Sequence, residues 1–193
     1  MDHEQNAIIS VHKPDIKEKL FFLSAGLLMS VPFTLFFSEL SNSLCELMPL
    51  QIAQVCALVL IAPFIEEVSK VFPLFYRHGE TERSLVDLGI LVGLGFGLTE
   101  FALYVFILDA PVLSRIPAII FHASSAAITS YGIATKKPVK FYLIAVAAHS
   151  ANNLLALFST DMALLAIPTV FILAATYLLA LHLYRQATET IVM

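Results

Sequence analysis

Two adjacent glutamates, Glu66 and Glu67, stand in the segment LVLIAPFIEEVSK. Glu100 stands in VGLGFGLTEFALY, His122 in IPAIIFHASSAAI, and His149 with Asn153 in AVAAHSANNLLAL. Carboxylates and imidazoles move protons and hold divalent cations, and amides donate to developing oxyanions. All of these side chains lie in hydrophobic segments, where a charged residue costs at least ~2.5–3.5 kcal/mol on insertion scales. A single intramembrane histidine, or the Asn152–Asn153 pair, is commonly a hydrogen bond between helices. The Glu66–Glu67 pair has no such inexpensive structural role. Polar groups on four successive hydrophobic segments point to one shared buried site.

The elements that must position these groups are membrane helices. The sequence is 59% hydrophobic and 13% charged, with a mean hydropathy of +0.84, far from the usual soluble mix. Stretches long enough to span, roughly 20 residues each, fall at about 18–38, 48–73, 86–108, 114–134, 139–159 and 162–184. The expected fold is all-α: a polytopic membrane helix bundle of about six transmembrane helices. It forms a single integral-membrane domain over 1–193, with the motif-bearing helices at about 48–159. The first apolar run has no small-residue cleavage site after it, so it is expected to stay as an anchor.

Lysine and arginine alternate between loops. Lys13, Lys17 and Lys19 precede the first stretch, Lys70, Arg77 and Arg83 surround the loop after the second, and Lys136, Lys137 and Lys140 fill the turn after the fourth. Arg185 follows the sixth. The other loops hold Glu39, Glu46, Asp109 and Asp161, with Arg115 as their sole cation. Retention of positive charge in the cytoplasm then puts both termini there. With a net charge of −4 and no basic block, nothing points to nucleic acid, and none is expected as a partner. A disulfide between Cys45 and Cys56 is not expected, because Cys56 lies within a membrane stretch. His3, His12, His78 and His182 read as interfacial, and 74–85 as a solvated cytoplasmic loop.

At 1.5 Å rise per residue, Glu66, Glu100, His122 and His149 fall roughly 14–22 Å from the cytoplasmic edge of a ~30 Å core. They can therefore share one layer. Lys70 is i+4 from Glu66 and i+3 from Glu67, so either carboxylate can take it as a partner. His149 and Asn153 are i,i+4 and can stand side by side, and His122 and Ser125 are i,i+3. Gly89, Gly93 and Gly97 form a stripe that lets another helix approach closely. Pro63 loosens the helix just before the carboxylate pair.

The order APFIEEVSK, GLGFGLTE, FHASSAAITSYG, HSANN resembles the PrsW-type intramembrane proteases, within the wider superfamily of CAAX-processing (type II) and bacteriocin-processing membrane proteases. The resemblance covers roughly residues 61–155. It implies that Glu66 is a water-activating base with Glu67 beside it, and that Lys70 takes the place of the motif's basic residue. His149 and Asn153 match an H-x-x-x-N that supplies oxyanion-stabilising groups, and His122 is the additional histidine of the PrsW branch. Where the wider superfamily has F-x-x-x-H, this sequence has Phe96 and Glu100, as the PrsW branch does. Phe101 stands where that branch often has asparagine.

The function expected is an intramembrane endopeptidase, in the plasma membrane of a prokaryote, acting on a membrane-anchored protein or peptide substrate within the lipid bilayer. Hydrolysis there needs water in a protein-lined cavity, a base and oxyanion donors. Glu66, Glu100, His122 and His149 equally make a two-carboxylate, two-imidazole set for a divalent metal such as zinc. No H-E-x-x-H is present. Direct glutamate catalysis and metal-assisted hydrolysis both remain open at this point. Intramembrane Glu and His also suit an ion-coupled transporter, and a non-catalytic membrane scaffold with a degenerate protease site is a third reading.

Overall fold

The computed structural model describes residues 11–76, 80–157 and 162–192. Arg77, His78 and Asp161, which entered the charge pattern and the interfacial reading, lie outside these residues, as does His3. Among the described residues the protein is all-helical. Its helices are α1 (Ile16–Cys45), α2 (50–76), α3 (Glu82–Ile107), α4 (Val112–Ala134), α5 (Pro138–Leu157) and α6 (Met162–Gln186). Among the described residues, four helical segments are long and apolar enough to cross a membrane: Ile16–Cys45, Glu82–Ile107, Val112–Ala134 and Ile167–Gln186. The expected stretches at 48–73 and 139–159 are helical over 50–73 and 139–157, and they carry Glu66, Glu67, Lys70, His149 and Asn153.

Local sequence sets the helix starts. Asp15 accepts from the Glu18 amide while the Glu18 carboxylate accepts from the Asp15 amide, a reciprocal cap that opens α1. Thr81 caps α3 through the Ser84 amide. Large apolar side chains such as Leu28, Phe36, Phe106, Leu113 and Phe171 are exposed around the outside of the bundle. An exposed apolar surface of this kind suits lipid and would be a liability in water.

α3 and α4 form the central pair, with α1 against α3, α6 against α4 and α5, and α2 facing α5. The glycine stripe makes the central contact possible. A Cβ built at Gly89 would lie 1.8 Å from Ser130 Oγ, one at Gly93 2.4 Å from the His122 carbonyl, and one at Gly97 2.8 Å from Ile119 Cα. On the other face of α3, Gly95 meets the Leu23 carbonyl of α1 in the same way, at 2.3 Å. No larger residue fits these positions without parting the helices.

Two expectations are corrected. Cys45 and Cys56 form a disulfide, with Cα atoms 5.8 Å apart. α1 stops at Cys45, the backbone reverses over 46–49, and Pro49 caps α2, so Cys45 at the end of α1 meets Cys56 about two turns into α2. The 74–85 segment is also not simply a solvated loop. Phe72–Tyr76 is a 3₁₀ turn, and Leu74, Glu80 and Thr81 are buried. The C-terminal segment covers them: Glu82 N–H donates to Thr190 O, Val192 N–H to Glu80 O, and the Arg83 guanidinium to Ala187 O.

Candidate active site

The middle of α2 departs from a regular helix. Val55–Ile61 is π-helical, and the Ala62 N–H bonds back five residues to Ala57 O. The next donor in that register would be residue 63, a proline, which has no N–H. Leu58 O is thereby released, and Asn153 Nδ2 of α5 donates to it at 2.9 Å. A second bond of this type, Tyr142 Oη to Phe64 O at 2.8 Å, holds α5 along the same edge of α2. Pro63 thus does more than loosen the helix, because it creates an acceptor that fixes Asn153.

One turn further on, Glu67 and Lys70 are both fully buried. Lys70 Nζ donates to Glu67 Oε1 at 2.6 Å and to Ser125 Oγ at 3.2 Å, and it sits 5.0 Å from the centre of the Phe96 ring. Of the two pairings open in the sequence, the i,i+3 one is adopted. His149 Nδ1 lies 2.8 Å from the same Glu67 oxygen. A carboxylate only accepts, so Nδ1 carries the hydrogen and Nε2 keeps its lone pair. That Nε2 faces Glu66 Oε2 at 3.5 Å. Lys70, Glu67 and His149 form a closed triad under the site.

A second triad approaches from α3 and α4. The glycine contacts bring His122 against α3, where His122 Nε2 bonds Glu100 Oε2, and Arg115 Nη2 donates to Glu100 Oε1 at 2.9 Å. Arg115 in turn lies over the Tyr104 ring, 3.8 Å from its centre. Glu100 is i+4 from Phe96 and i−4 from Tyr104, so one face of α3 supplies the carboxylate and both rings under the cations. The His122 and His149 rings stand 5.4 Å apart, nearly perpendicular, with Phe121 edge-on to both.

Glu66, Glu100, His122 and His149 all line one cavity of about 400 Å³, together with Arg115, Asn152 and Asn153. Its remaining walls, among them Leu58, Tyr104, Ala118 and Leu157, lie on the side of this layer where α3 ends and α4 begins. On the opposite side Lys70, Phe96, Ser125 and Thr129 are packed shut. Glu67 is excluded from the cavity and stands behind His149. His149 and Asn153 do not bond each other; one turns to Glu67 and the other to Leu58 O. His182 is exposed, with its ring on Gln186.

Arg115 counts among the loop charges in the sequence yet falls within the stretch at about 114–134, and it stands in the first turn of α4. It is seven residues before His122, two helical turns, so both project from one face of α4. That spacing was the available signal.

The sequence over residues 17–181 matches the family model for PrsW family intramembrane metalloproteases. The chain belongs to this family. No curated protein and no solved structure matches it. Family membership makes the protein an intramembrane protease. The family description implies a metal, and the donor set of this PrsW-family protease fits one. Glu66, His122 and His149 each offer a ligand atom, all within 4.8 Å of one another. Glu66 Oε2 and His122 Nδ1 are buried without a hydrogen-bond partner, and the His149 Nε2 lone pair faces another acceptor. Acceptors that converge in this way suit a cation.

Proposed function

We propose that the protein hydrolyses a peptide bond in a membrane-anchored protein or peptide, at the layer of Glu66, His122 and His149. The observation that carries this reading is the unequal commitment of three glutamates, two lining the cavity and one behind it. Both oxygens of Glu100 are engaged, by Arg115 and His122. Glu67 is sealed behind His149 with Lys70. Glu66 lines the cavity and keeps Oε2 unengaged by any hydrogen bond, so it is the carboxylate with an oxygen free for the reaction centre.

Glu66, His122 and His149 would hold a divalent ion such as zinc, which supplies Lewis-acid polarisation of the carbonyl and a more acidic water. The residues of the chain do the rest. Glu67 keeps the His149 tautomer fixed, and Glu100 does the same for His122. Asn153 spends one N–H on Leu58 O and retains a second, which with Asn152 can donate to a developing oxyanion in the cavity. Phe121 and the packed layer of Lys70, Phe96 and Ser125 close the site to water from one end.

The same reading places six helices across the plasma membrane of a prokaryote as a single domain, both termini cytoplasmic, in keeping with the alternation of Lys and Arg between loops. The cavity then opens toward the outer leaflet. The order of the motifs supports placing the family within the CAAX-processing and bacteriocin-processing superfamily. The test is cleavage of a single-span membrane protein in proteoliposomes by the purified protein and by Glu66→Gln. The amide keeps the shape but loses the anionic oxygen, so cleavage should be abolished at normal protein abundance. Equal cleavage by the two would sink the reading.

A further inference from the structure

We propose that Arg115 is a positioning residue of this site: it fixes the Glu100 carboxylate, which holds one nitrogen of His122 and leaves the other free for the shared centre. The inference rests on the proposed role of His122 in that centre.

The geometry has three independent parts. Arg115 Nη2 donates to one Glu100 oxygen while the other oxygen holds His122 Nε2, so the carboxylate is a rigid bridge between guanidinium and imidazole. Tyr104, one turn beyond Glu100 on α3, has its ring centre 3.8 Å from the guanidinium carbon and restricts its movement. Arg115 and His122 share a face of α4, so both ends of the bridge are carried by one helix and its centre by another.

The arrangement repeats the order of Lys70, Glu67 and His149: cation over an aromatic ring, carboxylate, imidazole. The two triads differ in exposure. Lys70 is sealed, whereas Arg115 lines the cavity. α3 and α4 are already held together by the contacts at Gly89, Gly93 and Gly97, so the Arg115–Glu100 pair is not needed to join them. Its consequence is the orientation of His122. Arginine suits this task better than lysine, because a planar guanidinium can donate along its edge while its face rests on the ring.

The experiment uses the full-length protein in detergent, labelled with ¹⁵N-histidine and without added metal. His122 is assigned by the signals lost in His122→Gln. The native protein should show His122 as a single tautomer with hydrogen on Nε2. In Arg115→Ala the two His122 nitrogens should move toward averaged shifts, and Arg115→Lys should recover part of the native pattern. Cleavage assays should show a kcat lower by about 10–100-fold in Arg115→Ala, with KM within about twofold. In a Glu100→Ala background, adding Arg115→Ala should cost no more than about twofold, since the group it acts through is gone. An unchanged His122 spectrum in Arg115→Ala, or fully additive losses, would overturn the positioning role. The ¹⁵N readout judges Arg115 even if Glu66→Gln proves as active as the native protein, which would instead refute the proteolytic reading.

Discussion

The closed triad of Lys70, Glu67 and His149 and the cavity triad of Arg115, Glu100 and His122 reach the same layer from opposite sides. They use the same chemistry in different surroundings. Lys70 and Glu67 are wholly buried at the shut end of the bundle, whereas Arg115 and Glu100 keep 22% and 20% of their side chains accessible at the open end. A buried ion pair has lost its hydration, so removing one partner strands the other. A pair that borders a cavity can be rehydrated. The same order of groups is therefore expected to serve folding on one side and tuning of the site on the other.

The sharpest way to break that contrast is to delete the cations separately. Lys70→Ala should destabilise the protein by about 3–5 kcal/mol, because Glu67 is left buried and uncompensated. Thermal unfolding in detergent measures this. The double variant Lys70→Met, Glu67→Gln should regain much of the loss. If Lys70→Ala is as stable as Arg115→Ala, the difference in burial has no energetic meaning.

The next effect in size concerns the imidazoles, where the triads converge. His149→Ala should lower the cleavage rate by about 10²–10³-fold or more, and His122→Ala should do comparable damage if the two triads serve one centre. A large loss for one with a silent outcome for the other would divide the triads.

Asn153→Ala should have a smaller effect. It removes one neutral hydrogen bond to Leu58 O, worth about 0.5–1.5 kcal/mol, and one donor to the cavity. Its signature is a modest loss of both thermal stability and rate. His182→Ala, on the exposed end of α6, should change neither and serves as the control.

Much of the cavity's lining was legible in the sequence because lipid makes polar residues conspicuous. Glu66, Glu100, His122 and His149 stand out in apolar runs, and the glycine stripe announced which face of α3 would be approached. What the sequence concealed depends on local departures from helical regularity and on choices between neighbours. Pro63 releases Leu58 O only because the turn before it is π-helical. Lys70 had two carboxylates in range, and packing of Ser125 and Phe96 selected Glu67. Arg115 counts as a loop charge in the sequence because helix ends are legible only to within a few residues; α4 starts at Val112, which puts Arg115 in its first turn and at the cavity. The disulfide required a reversal over 46–49 that hydropathy cannot reveal.

The central claim is that both triads end on one centre formed by Glu66, His122 and His149. Metal analysis of the detergent-purified protein, with activity followed before and after chelation, tests it most directly. The account predicts one divalent ion per chain, lost together with activity, and lost as well in Glu66→Gln, His122→Ala and His149→Ala. Full activity in protein without metal, or an ion retained when both histidines are replaced, would contradict it.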